Sequence, residues 1–291
     1  MRFDAYLMVD WSASSRPERG KDSVWWCEGS WQRGRLRTGD PINSRTREEA
    51  MSALAARLRS LVAERRSVLV GFDFPLGYPR GFARALGLAG KPWRAIWDEL
   101  SRLIRDDQPA FSNNRFQVAA ALNRRLQGKG PFWGCPASAQ CAALRMSKGR
   151  MPCVRLEEFR LAERRRPGPK SGWQLFYNGS AGSQALLGIP HLARLRDQPA
   201  LSAASAVWPF ETGPLLPPRV RGRARVVYAE VYPSLYAAVR RPGEVKDSAQ
   251  VRALVRHFAA RDRAGTLDAD FAAPAGAGDA WREEGWILGV L

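Results

Sequence analysis

Apolar and polar positions divide this chain into a regular beginning, a loosely patterned middle and a regular end. Residues 4–10, DAYLMVD, read as a strand whose apolar run ends in an acid, Asp10. SVWWCE at 23–28 and the segment 31–36 read as two further strands about a Gly29-Ser30 turn. Between 46 and 64, Ala50, Leu54, Leu58, Leu61 and Val62 recur at helical spacing. VLVGF then predicts a buried strand over 67–73, ending in Asp73 and stopped by Phe74-Pro75. The opening order is therefore β-β-β-α-β.

The middle is less regular. Helices are predicted near 79–88, 92–105 and 113–126, and 127–171 is rich in Gly, Pro and basic residues. A short strand is predicted at 172–177, with helices at 180–187 and 191–196 broken by Gly188-Ile189-Pro190. Residues 206–211 read as a strand closed by Gly213 and Pro214. Regularity returns with a strand at 225–231 that carries Glu230, then a helix at 233–239 opened by Pro233. A helix at 248–263 follows, with Val251, Leu254, Val255, Phe258 and Ala259 on one face. A last helix is expected from Asp279 to about 288. Without an internal repeat, the pattern predicts one α/β domain, 1–291, with a helical and loop insertion over roughly 80–205.

Charge changes this picture more than composition does. The hydrophobic fraction, 45%, is ordinary for a globular chain, but the net charge of +18 is not. Such an excess points to a polyanionic partner, nucleic acid before anionic membrane. A GC-rich genome accounts for arginine over lysine better than for the scarcity of acids. Arg2, Asp4 and Asp10 interrupt the first ten residues, so no signal-peptide core is expected, and no apolar run is long enough to span a membrane. Cys27, Cys135, Cys141 and Cys153 lack zinc-ligand spacing, and His191 and His257 lie apart from them. Reduced thiols in a cytoplasmic protein are the expectation.

Three predicted strands now end, or nearly end, in an acid: Asp10, Asp73 and Glu230. Asp279 stands at the start of the last helix. Carboxylates meeting at neighbouring strand tips repel one another unless a cation neutralises them, and Mg²⁺ or Mn²⁺ favours such oxygen ligands. Each acid also has a structural alternative: a turn at Asp10, an arginine pair at Glu230, a helix cap at Asp279.

At these residues the chain resembles the domain-of-unknown-function 429 family, predicted nucleases of ribonuclease H-like fold. The resemblance is carried by YLMVDWSAS (6–14), GFDFPLGYP (71–79), SGWQLFYNGSAGSQALLGIPHL (171–192), AEVYPSLYAAV (229–239) and GDAWREEGWILGV (278–290). It implies a ribonuclease H-like mixed sheet flanked by helices. It also implies divalent metal, Mg²⁺ or Mn²⁺, on Asp10 and Asp73, with Glu230 and an acid near the last helix, Asp279 or Glu283, completing the site. The activity so implied is phosphodiester cleavage by a water that the metal activates. Two alternatives stand beside it: a nucleic-acid-binding protein without catalysis, and a phosphotransferase of actin-like fold. The latter needs glycine-rich phosphate loops, which WSASS and FPLGYP do not supply.

Trp11, which follows Asp10, and Trp173, which precedes Gln174, could each stack a base near the site, although core packing is the expected role of most tryptophans. Further substrate contacts are expected at Gln174, at Ser12, and at Arg115 in Asn113-Asn114-Arg115. Ser180 and Gln184 lie in a glycine-rich segment, Asn178 to Gln184, whose backbone amides could receive a phosphate. Arg219, Arg221, Arg223 and Arg225 alternate along one face of an extended segment, and Arg164-Arg165-Arg166, Lys170 and Lys246 add positive charge. Asp247, beside Lys246, reads as the cap of the helix that follows.

Overall fold

The computed structural model describes residues 1–106, 113–126, 130–149, 156–166, 168–177, 179–215, 224–272 and 277–291. Its framework is a mixed sheet of seven strands: β1 (Ala5–Asp10), β2 (Val24–Gln32), β3 (Arg35–Thr38), β4 (Ile42–Ser44), β5 (Val68–Phe72), β6 (Ser205–Val207) and β7 (Val226–Glu230). The order is β3-β2-β1-β5-β7-β6, and β4 shares the outer edge of β2 with β3. β1 pairs antiparallel with β2 and parallel with β5, while β5, β7 and β6 run parallel.

The helices are α1 (Arg47–Ala63), α2 (Phe82–Ala85), α3 (Pro92–Leu103), α4 (Arg115–Arg125), α5 (Leu161–Arg165), α6 (Ala181–Arg196), α7 (Pro199–Ser202), α8 (Lys246–Arg263), α9 (Leu267–Asp270) and α10 (Trp281–Glu284). Strand alternation sorts the core into two layers. Leu7, Val9, Val70, Phe72 and Tyr228 face α1, α3, α4 and α6; Tyr6, Met8, Leu69, Val227 and Ala229 face α8. The α1 helix starts where Thr46 caps it, its hydroxyl accepting from the Glu49 amide at 3.0 Å, and its apolar stripe is buried as predicted.

Several local expectations are corrected. The predicted Gly29-Ser30 turn does not exist: β2 runs straight through it, and the chain reverses at Arg33-Gly34, both at positive φ. Gly29 answers to packing, since a Cβ there would lie 2.3 Å from the Val255 side chain on α8. The predicted break at 188–190 is also absent. α6 continues through Pro190, and at Gly188 a Cβ would stand 2.6 Å from the Phe74 ring that rests on the helix. Residues 172–177 form only an isolated bridge, Trp133 to Gln174. The predicted strand at 206–211 ends at Val207, the helix at 233–239 is one short turn, Pro233–Leu235, and the last helix is the single turn α10. α8 starts two residues earlier than expected, so Asp247 belongs to its first turn and Val245 holds the cap position.

No helix among the described residues is long and apolar enough to cross a membrane.

Candidate active site

Register decides which acids meet. Val9 pairs with Phe72 across β1 and β5, so the next residues, Asp10 and Asp73, stand at adjoining tips. Phe72 pairs with Glu230, which places Glu230 one step earlier in the pleat than Asp73. Alternation therefore sends Asp10 and Asp73 toward the α8 face and Glu230 toward the other.

The loop after β1 is tied to this pair. The Trp11 amide donates to Asp73 Oδ1 at 2.7 Å, and Gln184 of α6 donates to the Trp11 carbonyl at 2.7 Å. Asp10 and Asp73 line a cleft of about 300 Å³ together with Lys170, Gln184, Lys246 and Gln250. Gly179, Ala181, Tyr232 and Glu230 border the same space.

Neither Asp10 nor Asp73 forms an ion pair among the described residues. Both keep partial access to the cleft, yet packed atoms displace most of their hydration. Burial is the first cause that raises the Asp10 carboxyl well above its usual range, followed by the charges of Asp73 and Asp247, with Lys246 opposing. Asp73 is pushed up to about 7, again first by burial, against the Trp11 hydrogen bond that favours its charge. Asp247 also rises, chiefly through burial, and its Oδ2 accepts from the Asp22 amide at 3.3 Å. Asp247, in the first turn of α8, is thus a carboxylate felt by both members of the pair, while Glu230 also raises Asp73. The sequence held a signal for Asp247: an acid directly before an apolar helical face that had to cover β1.

Unfolded aspartates titrate near pH 4, so from about pH 4 to 7 the folded state binds more protons than the unfolded state. Stability from this source therefore falls as pH rises through that window. Asp10→Asn is expected to stabilise the metal-free protein by about 1–3 kcal/mol at pH 8, with the gain gone by about pH 4. Urea unfolding in EDTA at the two pH values measures it. A variant no more stable than wild type at pH 8 would show that the pair is not strained.

The other expected site residues lie elsewhere or are already engaged. Both Glu230 oxygens are held by Arg160, at 2.7 and 2.5 Å, and the Leu76 amide donates to Oε2 at 3.0 Å. Burial pushes the Glu230 carboxyl up, while the bidentate guanidinium favours its ionised form. Asp279 is not brought to the cluster. It is exposed, pairs with Arg282 at 3.0 Å and lines a different groove with Glu283 and Glu284. Glu283 accepts from the Gly81 amide at 2.9 Å, and Glu284 from the Arg80 and Leu161 amides at 2.9 and 2.6 Å.

Of the expected substrate contacts, Gln184 and Lys246 reach the cleft. Trp11 does not offer a stacking face; it is buried against Phe72, Phe74 and His191. Ser12 is buried and donates to the Asp22 carbonyl. Arg115 is buried, bonded to Ser183, Ser15 and Asn113 at 3.0, 2.9 and 2.6 Å. Gln174 folds back onto the Phe176 carbonyl at 3.1 Å, and its own carbonyl accepts the Gly182 amide at 2.9 Å. The Ala181 amide is likewise engaged, with the Gly179 carbonyl. These bonds take up amides of the glycine-rich segment that were expected to receive phosphate. Ser180 holds the cap position of α6 without a side-chain cap bond, and Asn178 lies outside the described residues. Arg223, with Arg219 and Arg221, also lies outside them.

No group of three or more His, Cys, Asp or Glu side chains among the described residues is gathered to hold a metal ion. Two carboxylates without ion pairs among the described residues do fit a hard divalent ion, since Mg²⁺ commonly takes one or two protein carboxylates and completes its shell with water and substrate phosphate. No family model matches this chain, and neither a curated protein nor a solved structure matches it.

Proposed function

We propose that this protein is a divalent-metal-dependent nuclease, with Mg²⁺ or Mn²⁺ held by Asp10 and Asp73 and a nucleic-acid phosphodiester as substrate. The observation that carries the reading is the Asp10–Asp73 pair: two adjoining, mutually repelling carboxylates without ion pairs among the described residues, at the floor of a cleft. Supporting it, the order β3-β2-β1-β5-β7, with its antiparallel and parallel pairings, agrees with a ribonuclease H-like sheet.

A cation bound there would neutralise the pair and polarise a phosphoryl oxygen. The chain's own groups do the rest. The Trp11 amide fixes the rotation of Asp73, and Gln184 fixes Trp11 in turn. Lys170 and Lys246 have no ion-pair partner among the described residues and bring positive charge to the cleft for phosphate oxygens. Asp247 adds negative charge beside Asp10, which strengthens the demand for a cation. Glu230 is written out of the ligand set, since Arg160 already satisfies it.

Calorimetry with Mn²⁺ tests the reading. Wild type is expected to bind, and Asp10→Asn/Asp73→Asn to lose that binding. Failure of wild type to bind Mn²⁺, even with a short oligonucleotide present to supply phosphate ligands, would sink it.

A further inference from the structure

All eleven tryptophans are buried or half-buried, so the rings that the sequence offered as stacking faces are spent on the core. Among the described residues the exposed aromatic rings are two neighbours, Phe176 and Tyr177, at 37% and 52%. Their centroids lie 5.1 Å apart at an interplanar angle of 58°. Tyr177 has φ +74°, a left-handed conformation that bulky side chains rarely adopt. Its hydroxyl donates to the Met146 carbonyl at 3.3 Å, and Met146 is itself 37% exposed. Phe176 is backed by Phe116, with ring centroids 6.3 Å apart, and the Arg115 guanidinium lies 4.4 Å from the Phe116 ring. The patch is therefore supported from beneath and open above.

Its position gives it meaning. Tyr177 is two residues before Gly179, which lines the Asp10–Asp73 cleft, so their Cα atoms are at most about 7.6 Å apart. A Cβ on Gly179 would stand 3.4 Å from Lys170 Cγ, so the stem of a cleft lysine runs beside the same loop. Aromatic faces beside lysines are a combination that holds single strands, phosphates by charge and bases by stacking, and Lys170 and Lys246 supply that charge here beside the proposed metal-binding acids. A duplex buries its base faces and offers this platform nothing.

We infer that Phe176 and Tyr177 form a base-stacking platform at the mouth of the cleft, and that the substrate is single-stranded nucleic acid. The inference rests on the nuclease reading for the cleft itself.

The test is binding of a single-stranded oligonucleotide of about twelve nucleotides, and of its duplex, in EDTA across a range of salt. Wild type is expected to favour the single strand. Phe176→Ala/Tyr177→Ala is expected to lose about tenfold to a hundredfold in single-strand affinity, with duplex affinity unchanged. Stacking releases no counterions, so the slope of log affinity against log salt should not move; Lys170→Met should make that slope shallower by about 0.7. In wild type, a 5-iodouracil-substituted strand should photocrosslink to Phe176 or Tyr177, a readout that needs no variant to fold. Equal affinity of variant and wild type, crosslinks confined to other segments, or a change only in self-association would each overturn the platform. The nuclease reading is judged separately, by Mn²⁺ binding and hydrolysis of bis(p-nitrophenyl) phosphate, which requires no stacking.

Discussion

Replacing Arg160 by methionine is expected to destabilise the protein by about 3–5 kcal/mol, enough to threaten folding. Arg160 is 1% exposed and its guanidinium makes four hydrogen bonds. It donates to Glu163 at 2.9 Å, to both oxygens of Glu230, and to the Glu284 carbonyl at 3.0 Å. Methionine keeps much of the volume but leaves two buried carboxylates without a counter-charge. Those carboxylates would then take up protons in the folded state, so the variant should recover stability as pH falls from about 7 toward 4.5. Adding Glu163→Gln and Glu230→Gln should restore most of the loss at neutral pH, because the penalty lies in the unpaired charges. Urea unfolding of the single and triple variants decides the matter. A loss below about 1 kcal/mol would mean that the cluster contributes little.

The second large effect belongs to the proposed chemistry. Asp73→Asn is expected to lower metal-dependent phosphodiester cleavage by about a thousandfold or more, roughly 4 kcal/mol of transition-state stabilisation. The substitution is mild for the fold, since asparagine keeps an oxygen to accept the Trp11 amide. Rate measurements at saturating Mn²⁺, with the variant's unfolding curve alongside, separate lost chemistry from lost structure. Activity within tenfold of wild type would remove Asp73 from the reaction. Glu230→Gln is the informative companion: its oxygens are bonded to Arg160, so its effect on cleavage should be much smaller than that of Asp73→Asn.

The sheet's three acid-tipped strands were readable in the sequence because each is a short apolar run with one charge at its end. Asp10 and Asp73 were found for that reason, and they do adjoin. Glu230 shows where strand reading stops. Its position in a strand was right, but its face depends on register with β5, and one step in register reverses the side chain. A single sequence carries no register for parallel neighbours separated by more than 150 residues. Asp279 failed for a related reason: the closing segment is one helical turn followed by a bridge from Ile287 to Glu230, and nothing local in its pattern said so. Asp247 reads as a cap in the sequence because α8 begins two residues earlier than its apolar stripe suggests. Gly29 and Pro190 misled in the opposite direction. Both look like punctuation, and both sit inside continuous elements whose tertiary partners, Val255 for the one and the buried surroundings of α6 for the other, override local preference.

The Arg160 cluster also bears on how the cleft is built. Its partners come from three stretches far apart along the chain: Glu163 close by, Glu230 seventy residues on, and Glu284 a further fifty-four. Such contacts impose long loop closures, which slow folding. Glu163 and Glu230 also line the cleft, so part of its wall depends on contacts distant in sequence. A disturbance at Glu284 can therefore reach the cleft through Arg160, although Glu284 itself lines a different groove.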